Sequence, residues 1–390
     1  MKKFIALFFI AFAQHLWAGE INFIDNDWQK ARTEAKQQGK YLFVDAYTDW
    51  CGWCKVMVKQ TFSQDEVAQF MNKSFVPLKL EMEHNYGKNI AMKYGVSVFP
   101  SYLIFNPDGK LVYRMAGYME AKAFIEKLQL ALDPAKQESY PGVSDKIDLD
   151  FPDFYVKAFN ENGKREFPDS VTLLNYLNNQ QDLYTEVNYS VIEHFAHSLP
   201  PKYQLYFLDH QDKYASLYSR DAVDEVVGSF ASQKISAAVK DSSEAELNNA
   251  LAFIDAYYKS AKDKEDTKTY FKTYFYKATG NWKRLSVAVD DFIRENGYTN
   301  DQAINEWGWA IYEKAADKDI IEKAISWMKP VIDSNPKYYS MDTYAALLYK
   351  AKRWKDAETY ALKAIELGKQ SGDKTKSTEE LLEKIRAERQ

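Results

Sequence analysis

Cysteine is nearly absent from this 390-residue chain: it occurs only as Cys51 and Cys54, with Gly52 and Trp53 between them. A disulfide scaffold is thereby excluded, and no second cysteine pair stands ready to complete a zinc site. Long blocks of Lys or Arg are missing too, and the net charge is −5. Nothing draws the chain toward the phosphate backbone of a nucleic acid. No P-loop, dinucleotide fingerprint or Ser/His/Asp constellation occurs. Beyond the N-terminal run, no apolar stretch is long enough to cross a bilayer.

Core-forming side chains, by contrast, are plentiful. The chain is 46% hydrophobic and 15% aromatic, which argues against global disorder. Its length calls for roughly two or three domains. At the N-terminus, Lys2 and Lys3 precede a continuous apolar run from Phe4 to Ala13, with small residues at Ala13 and Ala18. The run is short for a permanent membrane helix, so residues 1–18 are expected to be a signal peptide and the mature chain an exported, periplasmic protein.

In such a compartment an isolated C-x-x-C calls for explanation. A structural disulfide stabilises most when it closes a long loop, and this one closes almost none. Redox chemistry explains the pair better. Tyr41 to Tyr47 reads as a buried strand running into the dithiol, which places Cys51 at a helix N-terminus. Free backbone N–H groups and the helix dipole there favour a thiolate at Cys51, while Cys54 sits one turn in and is expected to be more buried. Trp50 and Trp53 add apolar surface beside it, and Lys55 adds positive charge.

Around this segment the pattern alternates between helix and strand. Helices are expected over Asp27–Gln38, from a capping box at Ser63–Glu66 to about Lys73, up to about Gly95, and over Glu120–Leu132. Strands are expected at Tyr41–Tyr47, Phe75–Met82, Ser101–Phe105 and Leu111–Met115, the last two joined by an Asn106-Pro107-Asp108-Gly109 turn. The order predicts an α/β sheet with helices on both faces over residues 19–133. Residues 134–145, with Pro141-Gly142, read as a linker, and residues 146–390 as helical. The clearest repeats lie in 266–370. Trp282 and Trp354 occupy matching turn-to-helix positions, and Ala324 matches Ala357. Ala345 and Ala364 also fall where a tetratricopeptide-like helix pair needs small residues.

The segment FVDAYTDWCGWCK resembles the strand, active site and helix of the thioredoxin superfamily, as do PLKLEM and GVSVFPSYLIF further on. The resemblance covers residues of about 40–133 and implies a thioredoxin-like α/β fold followed by an all-α tetratricopeptide-like domain. It is nearest to exported bacterial thioredoxin-like proteins with C-terminal helical repeats. It implies that Asp45 is the carboxylate beneath the dithiol, moving a proton for Cys54, and that Lys79 is its partner. It also implies that Pro100 is a cis-proline preceded by Phe99, and that Gly117 lies near the active surface. Trp50, Trp53, Phe99 and Gly117 would then meet the substrate. Two residues depart from the pattern: Trp53 stands where reducing thioredoxins have proline, and Phe99 where a small or β-branched residue is usual. Both positions tune the thiol pKa and substrate fit, which leaves the direction of electron flow open.

The implied function is thiol–disulfide exchange on exported proteins, with reduction favoured over oxidation by the resemblance, an upstream electron donor and no cofactor. Two alternatives stand beside it. One is an envelope binding module in which the repeats hold clients and the dithiol is a redox-sensitive latch. The other is a disulfide isomerase or holdase. His194 and His197, three apart on an expected helix, are read as a surface accident and not as a metal site.

Overall fold

The computed structural model describes residues 19–160 and 164–389, so the expected signal peptide lies outside the described residues. Strand β1 (Ile24–Asp25) is followed by α1 (Trp28–Gln38), β2 (Tyr41–Tyr47), α2 (Gly52–Met57), α3 (Asp65–Ser74) and β3 (Phe75–Glu81). Then come α4 (Asn85–Lys93), β4 (Ser101–Phe105), β5 (Leu111–Ala116) and α5 (Ala121–Leu132). The sheet order is β1-β3-β2-β4-β5. β3 runs parallel to β1 and β2, while β4 is antiparallel to β2 and β5. The strand that leads to the dithiol is thus central, and its side chains are buried on both faces. On one face, Phe43, Phe62, Tyr102 and Phe124 form a continuous aromatic core.

Local signals explain most boundaries. Asp27 caps α1 by accepting from Lys30 N at 2.9 Å, and Gly39 ends it with φ +62°. Asn106 accepts from Gly109 N at 2.8 Å to close the β4–β5 turn. The capping box expected at Ser63 does not form. α2 continues through a π-helical turn, Val58–Phe62, and Ser63 donates its hydroxyl back to Lys59 O at 2.7 Å, leaving Gln64 as the cap of α3. A hydroxyl occupied by the preceding helix cannot also cap the next one.

By internal contacts the chain divides between Val226 and Val227. The first unit adds α6 (Asp153–Lys157), α7 (Ser170–Asn178), α8 (Glu186–His194), α9 (Pro201–Asp209) and α10 (Gln211–Tyr218) to the sheet. Residues 134–145 are bonded on both sides: Glu138 N donates to Val112 O, and Gly142 N to Leu217 O. Lys93 on α4, its side chain fully buried, pairs with Glu186 of α8, and Arg114 on β5 pairs with Glu193 at 3.4 Å. The Tyr155 hydroxyl donates to Met92 O at 2.8 Å.

α11 (Arg220–Lys240) leads into the second unit. There α12 (Glu244–Tyr257), α13 (Ala261–Ala278), α14 (Trp282–Asn296) and α15 (Asp301–Lys314) are followed by α16 (Lys318–Ser334), α17 (Tyr338–Lys350), α18 (Trp354–Ser371) and α19 (Lys376–Arg389). Successive helices pack on one another around a core that includes Leu285, Ile304, Met328 and Leu347. Trp282 and Trp354 each open a helix, and Ala324, Ala345, Ala357 and Ala364 are completely buried.

Candidate active site

The end of β2 delivers the chain to the dithiol. Cys51 N donates to Thr48 O at 3.1 Å, closing a turn that leaves Cys51 as the N-cap of α2. Its Sγ accepts the backbone N–H of Cys54 at 3.0 Å. That N–H is one of the unpaired donors every helix start presents, and it would serve a thiolate better than the bonded sulfur. The two sulfurs form a disulfide with a Cα–Cα distance of 5.3 Å. The expected contrast in exposure is not seen in this oxidised form, where Cys51 is 3% exposed and Cys54 6%. Bonded sulfurs cover each other, so what separates the two residues is their place relative to the helix end.

On β2, six residues before Cys51, Asp45 sits in register between Lys79 of β3 and Tyr102 of β4. It is 2% exposed, and burial raises its pKa from the ordinary 3.8 to about 7, against the opposing pull of the Lys79 charge. The Lys79 ammonium itself lies 4.7 Å from the centroid of the Tyr47 ring. A carboxyl that titrates near neutrality can both take and return a proton. A cleft of about 520 Å³, lined in part by Val58, Phe62, Ser63, Lys79 and Asp45, opens this side to solvent.

The Phe99–Pro100 peptide bond is cis, at the entrance to β4. Gly117 N donates to Pro100 O at 2.8 Å, and its φ of +91° is a conformation that favours glycine. The Phe99 ring meets the Trp50 ring edge-on at 5.9 Å, and Trp53 lies 5.8 Å from Tyr118. Trp50, Phe99, Pro100 and Gly117 are therefore joined by contacts, and Trp50 directly precedes Cys51 in the chain. Asp45 and Lys79 form a separate pair, opposite each other across β2 and β3. Trp50 and Trp53 are 55% and 61% exposed, an unusual cost for two indoles unless a partner covers them.

Sequence reasoning missed Glu83 and Arg165. Glu83, just past β3, accepts from Trp50 Nε1 at 3.0 Å. Arg165 donates to Ser97 O at 3.1 Å, lies 3.7 Å from Glu83 Oε1 and holds its guanidinium 5.9 Å from the Phe99 ring centroid. No motif marks either residue. An acid two residues beyond a strand gives only a faint signal, and Arg165 gives none. The surface reading of His194 is also corrected, while His197 is exposed. His194 ends α8 and stacks on Phe159 at 4.6 Å, while His197 lies in a separate 3₁₀ turn, Ala196–Ser198. Burial holds the His194 imidazole down at a pKa of about 4, so it is a neutral core ring and not a surface residue.

Residues 28–132 match the model of a thioredoxin-like domain, and a helical region follows that domain. Over 102 residues the chain is 31% identical to the thiol:disulfide interchange protein DsbD of Pseudomonas fluorescens, covering 25% of this chain and 18% of that protein. Over 108 residues it is 31% identical to a protein disulfide-isomerase of Hordeum vulgare, covering 27% of this chain and 20% of that one. Among solved structures, a candidate disulphide-isomerase of Bacteroides thetaiotaomicron is 36% identical, covering 30% of this chain and 98% of that one, with a TM-score of 0.29. The chain thus spans about a fifth of the length of the curated relatives it matches.

Proposed function

We propose that this protein is a thiol–disulfide oxidoreductase that reduces disulfides in exported polypeptides. The observation that carries the reading is the Cys51 sulfur capping a helix, just after a strand that bears a buried carboxyl titrating near pH 7. The thioredoxin-like match over residues 28–132 and the names of the matched relatives support it.

In the proposed cycle, the Cys51 thiolate attacks one sulfur of the substrate disulfide. A Cys51–substrate bond forms and the substrate's other sulfur leaves as a thiolate. Cys54 then loses its proton to Asp45, and its thiolate attacks Cys51 Sγ. The second substrate thiolate departs, and the Cys51–Cys54 disulfide holds the two electrons' worth of oxidation. An upstream dithiol donor restores the reduced pair. Lys79 tunes Asp45, while Trp50, Trp53, Phe99, Pro100 and Gly117 form the face that meets the substrate. The helical region is taken as tetratricopeptide-like, holding clients or a complex. Residues 1–18 are taken as an export signal to the periplasm, on the basic residues and apolar run at the N-terminus.

Equilibration with a glutathione redox buffer tests the direction of electron flow. A potential near that of reducing thioredoxins, about −270 mV, supports reduction, whereas one near about −120 mV would make the protein an oxidant. Insulin reduction by the wild type, abolished in Cys51→Ser, tests the activity itself.

A further inference from the structure

We propose that Arg165, which lies in the chain beyond the thioredoxin-like domain, is a positioning residue of the dithiol site. The inference rests on the oxidoreductase reading for its functional meaning, but the geometry stands on its own. Four side chains close a circuit. Arg165 pairs with Glu83, Glu83 accepts the Trp50 indole N–H, the Trp50 ring meets Phe99 edge-on, and the Phe99 ring lies under the Arg165 guanidinium. Arg165 also donates to Ser97 O, on the loop that leads into the cis Phe99–Pro100 bond.

The chemistry suits arginine in particular. A planar guanidinium can pair with a carboxylate, bond a carbonyl and cover a ring at once, and an ammonium cannot. Glu83 keeps only 5% of its side chain exposed and Arg165 21%, so the pair is screened far less than a surface ion pair. Trp50, in contrast, is half exposed and immediately precedes Cys51. An indole so exposed loses its fixed rotamer readily unless its N–H and its ring are both held. The circuit supplies both holds. Arg165 thereby fixes the rings of Phe99 and of Trp50, the residue before Cys51, without bonding to the sulfur or to a reacting atom. The segment after the domain is in this way part of the site that receives a polypeptide disulfide.

The test uses the full-length protein and compares wild type, Arg165→Ala and Arg165→Lys. With a disulfide-linked polypeptide such as insulin, Arg165→Ala is expected to raise KM by about five- to tenfold, in line with the loss of a charge-assisted bond and a cation–ring contact, with kcat changed less than about twofold. A small aryl disulfide, too short to span both rings, should react at nearly the wild-type rate. Arg165→Lys, which keeps the charge, should fall between. In the oxidised protein without substrate, the Trp50 indole N–H resonance, assigned with Trp50→Phe, should shift and broaden in Arg165→Ala. An unchanged Trp50 resonance would overturn the proposal. So would an equal loss of rate on both substrates together with a lower melting temperature, which would mark Arg165 as a structural prop. A wild type inactive on both disulfides would sink the oxidoreductase reading, and the resonance would still decide whether Arg165 holds Trp50.

Discussion

Asp45 shows how burial and charge compete at a single residue. Lys79 stands opposite it in register, yet the carboxyl is pushed up to about 7, because a carboxylate with 2% exposure loses more hydration than a neighbouring cation restores. Folding favours the neutral acid. Between pH 3.8 and about 7 the folded chain holds a proton that the unfolded chain has released, so this group's contribution to stability falls as pH rises through that window and stays lowered above it. Asp45→Asn should therefore match the wild type near pH 4 and exceed it at pH 8, by roughly 4 kcal/mol at most. Denaturant unfolding of the oxidised proteins at the two pH values checks this, and a stability gap independent of pH would refute it. Asp45, Lys79 and Pro100 were legible because they keep fixed spacings from Cys51 in motifs shared with a known superfamily. The size of the Asp45 shift was not legible, since it depends on what covers the strand. Glu83, Arg165 and the aromatic setting of His194 were hidden for the same reason: each is defined by side chains distant in sequence.

Secondary-structure elements were easier to read than their junctions. The strands at Tyr41–Tyr47 and Ser101–Phe105 coincide with their apolar runs, because a strand buried on both faces leaves no polar alternation to blur its ends. The junction after α2 was misread because a π-helical turn carries the helix onward to Phe62 and engages the hydroxyl of Ser63, the residue that resembled a cap. One glycine fixes a junction that bears on the site. A Cβ at Gly87 would stand 1.8 Å from Glu81 O, so the start of α4 can approach the end of β3 only without a side chain. Gly87→Ala should destabilise the fold by about 3 kcal/mol. It should also displace the 81–83 segment that holds Trp50, giving a change in the Trp50 indole resonance. Wild-type stability in this variant would show that α4 is free to shift.

For the whole molecule, the first compact unit joins the sheet to the helices that follow it through buried ion pairs. Lys93, with no exposed side-chain surface, is tied to Glu186, and Glu186 also accepts from Ser144 N and its hydroxyl. Removing one member of a buried pair leaves the other charge without compensation, so Glu186→Ala should cost about 3 kcal/mol or more. Replacing both partners together should cost less than the two single changes summed, and a double-mutant cycle measures the difference. The sequence read residues 134–145 as a linker on the strength of Pro141-Gly142. That composition marks a turn but cannot show that Gly142 N is bonded to Leu217 O.

The central claim, that Cys51 is the nucleophile of a working dithiol, is tested most directly by trapping. Reduced Cys54→Ser protein is mixed with a disulfide-linked polypeptide, quenched with acid, and the adduct is mapped by mass spectrometry. A mixed disulfide on Cys51 is expected to persist, because the thiol that would release it is gone. Wild-type protein should turn over without accumulating the adduct, and Cys51→Ser should form little. Equal adduct formation on Cys54 in the Cys51→Ser variant, or a Cys51 rate no faster than that of an unfolded peptide carrying the same four residues, would contradict it.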